Sequence, residues 1–126
     1  MITTVPAIRT RLKDILLSFK GPLKVRVDKE TNFEVAGTIE VMQGKKKVDG
    51  FYFSSLVPKV KDVRFYFFPA YTHADEFTDL SETLQKFKKG KSCFHIKYLN
   101  DELEVEIKKM VAKAVQLYQQ DGWLSK

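Results

Sequence analysis

Two histidines and one cysteine are all the imidazole and thiol that this 126-residue chain offers. Chemistry that needs an imidazole or a thiol must therefore be built around His73, His95 or Cys93. His73 stands with Asp75 and Glu76 in one short segment, and imidazole plus carboxylates is a donor set that hard or borderline cations accept if the side chains converge. A solvated polar loop has the same composition. Cys93 and His95 are separated by one residue, which on a strand turns both side chains to the same face. As metal ligands they fall short of a complete zinc site, and a lone cysteine is also at home as a small buried hydrophobe. Asp101, Glu102, Glu104 and Glu106 form an acidic run, which the positive end of a helix explains without any ligand. There is no Gly-x-Ser-x-Gly elbow and no phosphate-cradling glycine loop, and Ser54-Ser55 has no identifiable base. The expectation is a protein that is not an enzyme, with no catalytic residue and no cofactor-binding residue.

The elements that would position these residues follow from periodicity. Val5, Ile8, Leu12, Ile15, Leu16 and Phe19 recur at spacings of three and four. This predicts a first helix with Thr4 at its N-cap, Pro6 in its first turn and Gly21 just past its end. From Leu23 the period is two: Leu23, Val25 and Val27 alternate with charged residues, and Phe33 to Val41 repeats the pattern after a turn. Gln43 to Lys47 reads as a charged loop. Phe51 to Val57 and Val63 to Phe68 read as a third and fourth strand, whose aromatic content on both faces suits central positions in a sheet. Tyr52, Tyr66 and Phe68 are expected on the face opposite Phe51, Phe53, Phe65 and Phe67.

A connection over Ala70 to Thr78 leads to a short helix capped by Thr78 or Asp79, with Leu80, Leu84 and Phe87 buried. Ser92 to Tyr98 is the fifth strand. Asn100 caps a final helix whose stripe runs from Leu103 to Tyr118 and which ends at Gly122, with Trp123 and Leu124 folded back on the core. The order α-β-β-β-β-α-β-α predicts an α+β fold: a single antiparallel sheet of about five strands with the N-terminal and C-terminal helices on one face.

Length and composition agree with one domain over residues 1–126. An apolar fraction of 44% is ample for a packed core, and the single cysteine permits no intramolecular disulfide. No secretory signal and no membrane-length apolar run is visible, so the expected location is cytoplasmic. The net charge of +6 lies in residues 1–73, since residues 74–126 balance. Such an excess steers acidic partners without specifying them.

Three segments, Val63-Arg64-Phe65-Tyr66-Phe67-Phe68, Gly90-Lys91-Ser92-Cys93-Phe94-His95-Ile96-Lys97 and Leu117-Tyr118-Gln119-Gln120-Asp121-Gly122-Trp123, together resemble the YdhG-like family of small bacterial proteins, carried mainly as a domain of unknown function. The resemblance covers roughly residues 50–124. Upstream, the Pro-Glu motif and aromatic Gly-x-Pro segment common in that family are absent. The resemblance implies an α+β fold related to frataxin-like and YjbR-like proteins. It also raises iron as a possible metal, because a family member has been described as a frataxin-type iron chaperone. In proteins of that type, carboxylates on the first helix and the neighbouring strand edge bind iron. Here Asp14 is the only carboxylate on that helix, so the ligand set does not carry over.

The function expected from the sequence is thus a small binding or adaptor domain for a small ligand, a metal or a protein. His73, Asp75 and Glu76 are the metal candidates, and His95, Cys93, Tyr52 and Tyr66 the candidates for another ligand. A frataxin-type metallochaperone is one alternative and a nucleic-acid-associated basic protein another. Lys45-Lys46-Lys47 and Lys86 to Lys91 invite the latter, but the aromatic strands match no RNA-recognition strand motif, so the sequence does not favour a nucleic-acid partner. An exposed sheet edge is compatible with a monomer or a weak homodimer.

Overall fold

The computed structural model describes all 126 residues. Helix α1 spans Val5–Leu17 and buries Ile8, Leu12 and Leu16, as its spacing requires. Thr4 occupies the N-cap position with extended backbone but makes no side-chain cap bond. Strands β1 (Leu23–Lys29), β2 (Asn32–Gly37), β5 (Tyr52–Pro58), β6 (Val63–Phe67) and β7 (Cys93–Ile96) form one antiparallel sheet in that spatial order. The aromatic third and fourth strands of the sequence pattern, β5 and β6, are internal to the sheet. Between β2 and β5 the chain departs from expectation. The second strand stops at Gly37, and Val41–Gln43 (β3) and Lys46–Val48 (β4) make a separate two-stranded hairpin through the stretch expected to be a loop.

Packing on the core side is organised in rungs. Phe33, Leu56, Phe65 and Phe94 pair in register across β2, β5, β6 and β7, and each is at most 1% exposed. They belong to one hydrophobic cluster with the buried stripes of α1 and of α4 (Asp101–Gln120). Asn100 Oδ1 accepts the Leu103 N–H at 2.8 Å, so the expected N-cap of α4 is formed. At the other end of α4, Gly122 takes φ +79°, which lets the Trp123 N–H return to the Tyr118 carbonyl. The Trp123 ring then stacks on Phe51 at 4.2 Å, and Leu124 is buried.

Two bulges reset the alternation that the sequence suggests. Val35 pairs with Ser54 and Ala36 with Tyr52, which leaves Phe53 as an extra residue in β5. Phe53 and Ser54 therefore both turn to the core, each 0% exposed. The Ser54 hydroxyl is satisfied by donating to the Tyr66 carbonyl at 2.7 Å. Beyond the bulge, Leu56 is on the core side and Ser55 on the other, the reverse of strict alternation from Phe51. In β1 the extra residue is Arg26, between Val25 and Val27.

The connection after β6 is also more ordered than a loop. Pro69–Thr72 forms a short helix, α2, and Ala74–Phe77 a 3-10 turn. The next helix, α3 (Glu82–Phe87), is capped by Ser81, whose Oγ accepts the Leu84 N–H, and not by Thr78 or Asp79. Phe77 from the 3-10 turn packs edge-on against Phe67, and with the buried Ala70 it anchors this connection to the core.

The close approach of β2 and the chain entering β5 depends on Gly50. A Cβ there would overlap the Gly37 carbonyl group, and the Gly37 N–H donates to the Phe51 carbonyl at 2.9 Å in the same place. Gly50→Ala is expected to lower the unfolding free energy by about 1–3 kcal/mol, the usual range for overpacking. A urea unfolding midpoint unchanged from wild type would contradict this.

Candidate functional site

All the helices contribute to the core side of the sheet, and the opposite face carries a polar and aromatic layer. Its rungs follow from the register: Glu34, Ser55, Tyr66 and Cys93 pair across β2, β5, β6 and β7, and Val57, Arg64 and His95 pair beside them. The β5 bulge places Tyr52 next to this layer, its Oη 2.7 Å from Ser55 Oγ. Thus Tyr52, Tyr66, Cys93 and His95 share one face. Tyr66 is 36% exposed, while Tyr52, Cys93 and His95 are half-buried.

Charge on this face is arranged in pairs. Arg26 Nε donates to Glu34 Oε2 at 2.7 Å, and Arg64 Nε donates to Asp62 Oδ1 at 2.8 Å. Asp62 is a nearly buried carboxylate; its pairing with Arg64 at 2.8 Å offsets part of the penalty that an isolated buried charge would carry. Burial pushes the Tyr52 hydroxyl up to about 12, so it stays protonated as a hydrogen-bonding group. Burial likewise raises the Cys93 thiol, against the opposing pull of Arg64. His95 is shifted below its ordinary value, first by partial burial and then by Arg64, with Lys89 and Lys97 adding and Asp62 opposing. Near neutral pH the face therefore presents a thiol and a neutral imidazole, and neither group is activated as a nucleophile or acid.

The metal candidates fall elsewhere and do not converge. His73 Nε2 lies 2.6 Å from Asp121 Oδ2, and His73 Nδ1 lies 2.9 Å from Thr72 Oγ1. Glu76 pairs with Lys113 at 3.4 Å, and Asp75 is exposed on the 3-10 turn. No group of three His, Cys, Asp or Glu side chains is positioned to hold a metal ion.

His73 belongs instead to a hydrogen-bonded chain that the sequence did not reveal. Thr72 Oγ1 also lies 2.8 Å from the hydroxyl of Tyr118, which is fully buried. With the Asp121 carboxylate accepting from Nε2–H, one proton order satisfies every group: Tyr118 donates to Thr72, Thr72 donates to His73 Nδ1, and His73 donates to Asp121. The chain ties α2 to the last turn of α4, and Tyr118 is in turn packed by Phe51, Phe53 and Trp123. Its members lie far apart in sequence, so only His73 stood out. For the open face, Arg64 and Asp62 were also missed, although their spacing of two just before and within a strand was a usable signal.

Comparison with known proteins finds no match among family models, curated proteins or solved structures.

Two measurements check this geometry. Thr72→Val is expected to cost about 1–3 kcal/mol, because it leaves the buried Tyr118 hydroxyl without a partner. The double variant with Tyr118→Phe should cost less than the sum of the single changes; additive losses would show that the chain is not a unit. For the open face, the His95 pKa followed by NMR should lie below the ordinary histidine value, rise in Arg64→Ala and fall further in Asp62→Asn. The sign follows from the neighbours: removing a cation favours the imidazolium, and removing a carboxylate disfavours it. Shifts in the opposite directions would refute this arrangement of charge.

Proposed function

We propose that this chain is a non-enzymatic binding or adaptor module of the YdhG-like type, and that the open face of its sheet is the binding surface. The observation that carries the reading is the register that brings Tyr66, Cys93, Arg64 and His95 side by side on β6 and β7, away from the hydrophobic cluster that holds every helix. A sheet face that serves only solubility needs lysine and glutamate. This one carries Tyr52 and Tyr66, rigid side chains that combine a large apolar area with a polar tip and are favoured where partners bind. The sheet beneath them is fixed by the core rungs, so the surface is preorganised and little ordering entropy is lost on binding. The thiol and the neutral imidazole suit recognition better than turnover. The helices of the opposite side leave other depressions, such as one of about 260 Å3 between α1 and α4, but that one is lined by Arg11, Asp14, Glu104 and Lys108, and Arg11 and Glu104 already pair with each other.

An amide-NMR screen with a library of small aromatic and anionic fragments tests the reading. Fragment hits are expected to shift the amides of Ser55, Arg64, Tyr66, Cys93 and His95. Hits that gather instead at the α1–α4 depression would remove the open face as the binding surface.

A further inference from the structure

Five surface depressions exist on this protein, and four of them have at least one carboxylate in their lining. The fifth has none. It holds about 290 Å3 and is lined by Ala70, Tyr71, Ala74, Lys88 and Lys91, an aromatic wall with two cations and small residues that leave room beside the ring. Tyr71 is 53% exposed, and Lys91 Nζ lies 5.7 Å from its ring centroid. Lys88 and Lys91, like Lys89 and Lys97, make no ion pair with any carboxylate of the chain. Four unpaired lysines on the segments flanking β7 form a local positive field, and the net charge of +6 reinforces it.

This depression is joined to the open face by a row of rings. Tyr71 stacks on Phe68 at 5.6 Å, and Phe68 packs on Tyr52 at 5.5 Å; Tyr66 stands on the neighbouring strand, paired with Ser55, to which Tyr52 bonds. Of the carboxylates near this row, Glu34 and Asp62 are each held by an arginine, and Asp75, which makes no ion pair, lines the adjoining depression that Tyr71 and Ala74 share. Across the rungs of the open face and on the Lys88–Lys91 side of Tyr71, an anion therefore meets unpaired cations and no carboxylate without an arginine partner.

A ligand that fits must bring planar rings at intervals together with negative charges on a flexible chain. We propose that the occupant is single-stranded nucleic acid, with one base against Tyr71, further bases over Tyr66 and Tyr52, and phosphates beside Lys88, Lys91, Lys89 and Lys97. Stacking on aromatic side chains combined with a cationic track is how strands are held without base-edge readout, so the absence of an RNA-recognition strand motif is no obstacle. The sequence shows both the lysines and the tyrosines, but it does not reveal that Tyr71 and Tyr66 are outward or that the lysines have no partners. This inference rests on the open face being the binding surface and names its ligand class.

Fluorescence anisotropy with labelled ten-residue oligo-dT and oligo-U, run across a salt series, is the test. Saturable binding is expected at low salt, weakening as salt rises because lysine–phosphate contacts release counterions. Tyr71→Ala should weaken binding about tenfold while Tyr71→Phe retains it; Tyr71 is a surface ring, and circular dichroism of each variant verifies its fold. Lys88→Glu with Lys91→Glu should weaken binding and flatten the salt dependence, whereas Lys108→Glu with Lys109→Glu, exposed on α4, should leave it unchanged.

The proposal is overturned by no binding at low salt, by equal binding of duplex DNA, by equal competition from inorganic polyphosphate, or by an unaltered affinity in Tyr71→Ala. Should the fragments still map to the open face while the oligonucleotides fail, the ligand class falls and the binding surface stands. Should fragments and oligonucleotides both perturb the α1–α4 depression, both readings fall.

Discussion

One desolvated rung, Phe33–Leu56–Phe65–Phe94, fixes the geometry of everything else in this molecule. These four side chains lie in register across four strands, so the core side of β2, β5, β6 and β7 is apolar at the same height. Helices α1 and α4 bury their stripes on that side. A slip of one residue in any of these strands would expose its apolar set to water and place charged or polar groups in the core. The register on the other face is inherited from this constraint. Arg64 is beside His95, and Tyr66 beside Cys93, because Phe65 must face Phe94.

The β5 bulge shows how local irregularity serves both faces. An extra residue at Phe53 lets two consecutive side chains, Phe53 and Ser54, enter the core. The hydroxyl among them is satisfied by the Tyr66 carbonyl, so burial of a polar group carries no large penalty. The same insertion moves Tyr52 to the same side as Ser55 and builds the Tyr52–Ser55 contact. Without it, Tyr52, Ser54 and Leu56 would share the outer face, and Leu56 could not complete the central rung. Gly50, just upstream, admits the close passage of Gly37 that brings the chain into this strand.

Two networks of polar groups differ in what they do. Tyr118, Thr72, His73 and Asp121 are joined end to end and pin the C-terminal turn to α2, so their hydrogen-bonding capacity is spent inside the fold. The side chains of the open face are less committed: Arg64 uses its Nε on Asp62, Tyr66 is partly exposed, and the lysines flanking β7 have no acidic partner. Binding energy comes from groups that are preorganised but not already satisfied, which separates the face from the His73 chain as a surface for recognition.

Sequence alone determined the α+β class and the order of the five strands of the main sheet and of the helices α1, α3 and α4, because those follow from periods of two and of three to four in apolar residues, and from local signals such as Asn100 and Gly122. It also placed Tyr66, Cys93 and His95 on strands, and spacing by one residue put Cys93 with His95. What it did not determine came from contacts between distant segments. The β3–β4 hairpin was hidden in a lysine-rich stretch whose charge suggested a loop, and the bulges broke an alternation that looked continuous. His73 looked like a neighbour of Asp75 and Glu76, yet its imidazole is directed to Asp121 at the far end of α4. The exposure of Tyr71 and the lack of partners for Lys88 and Lys91 were likewise decided by tertiary structure, since solvent access and ion pairing depend on which chain segments come to lie beside a residue, and composition does not specify that.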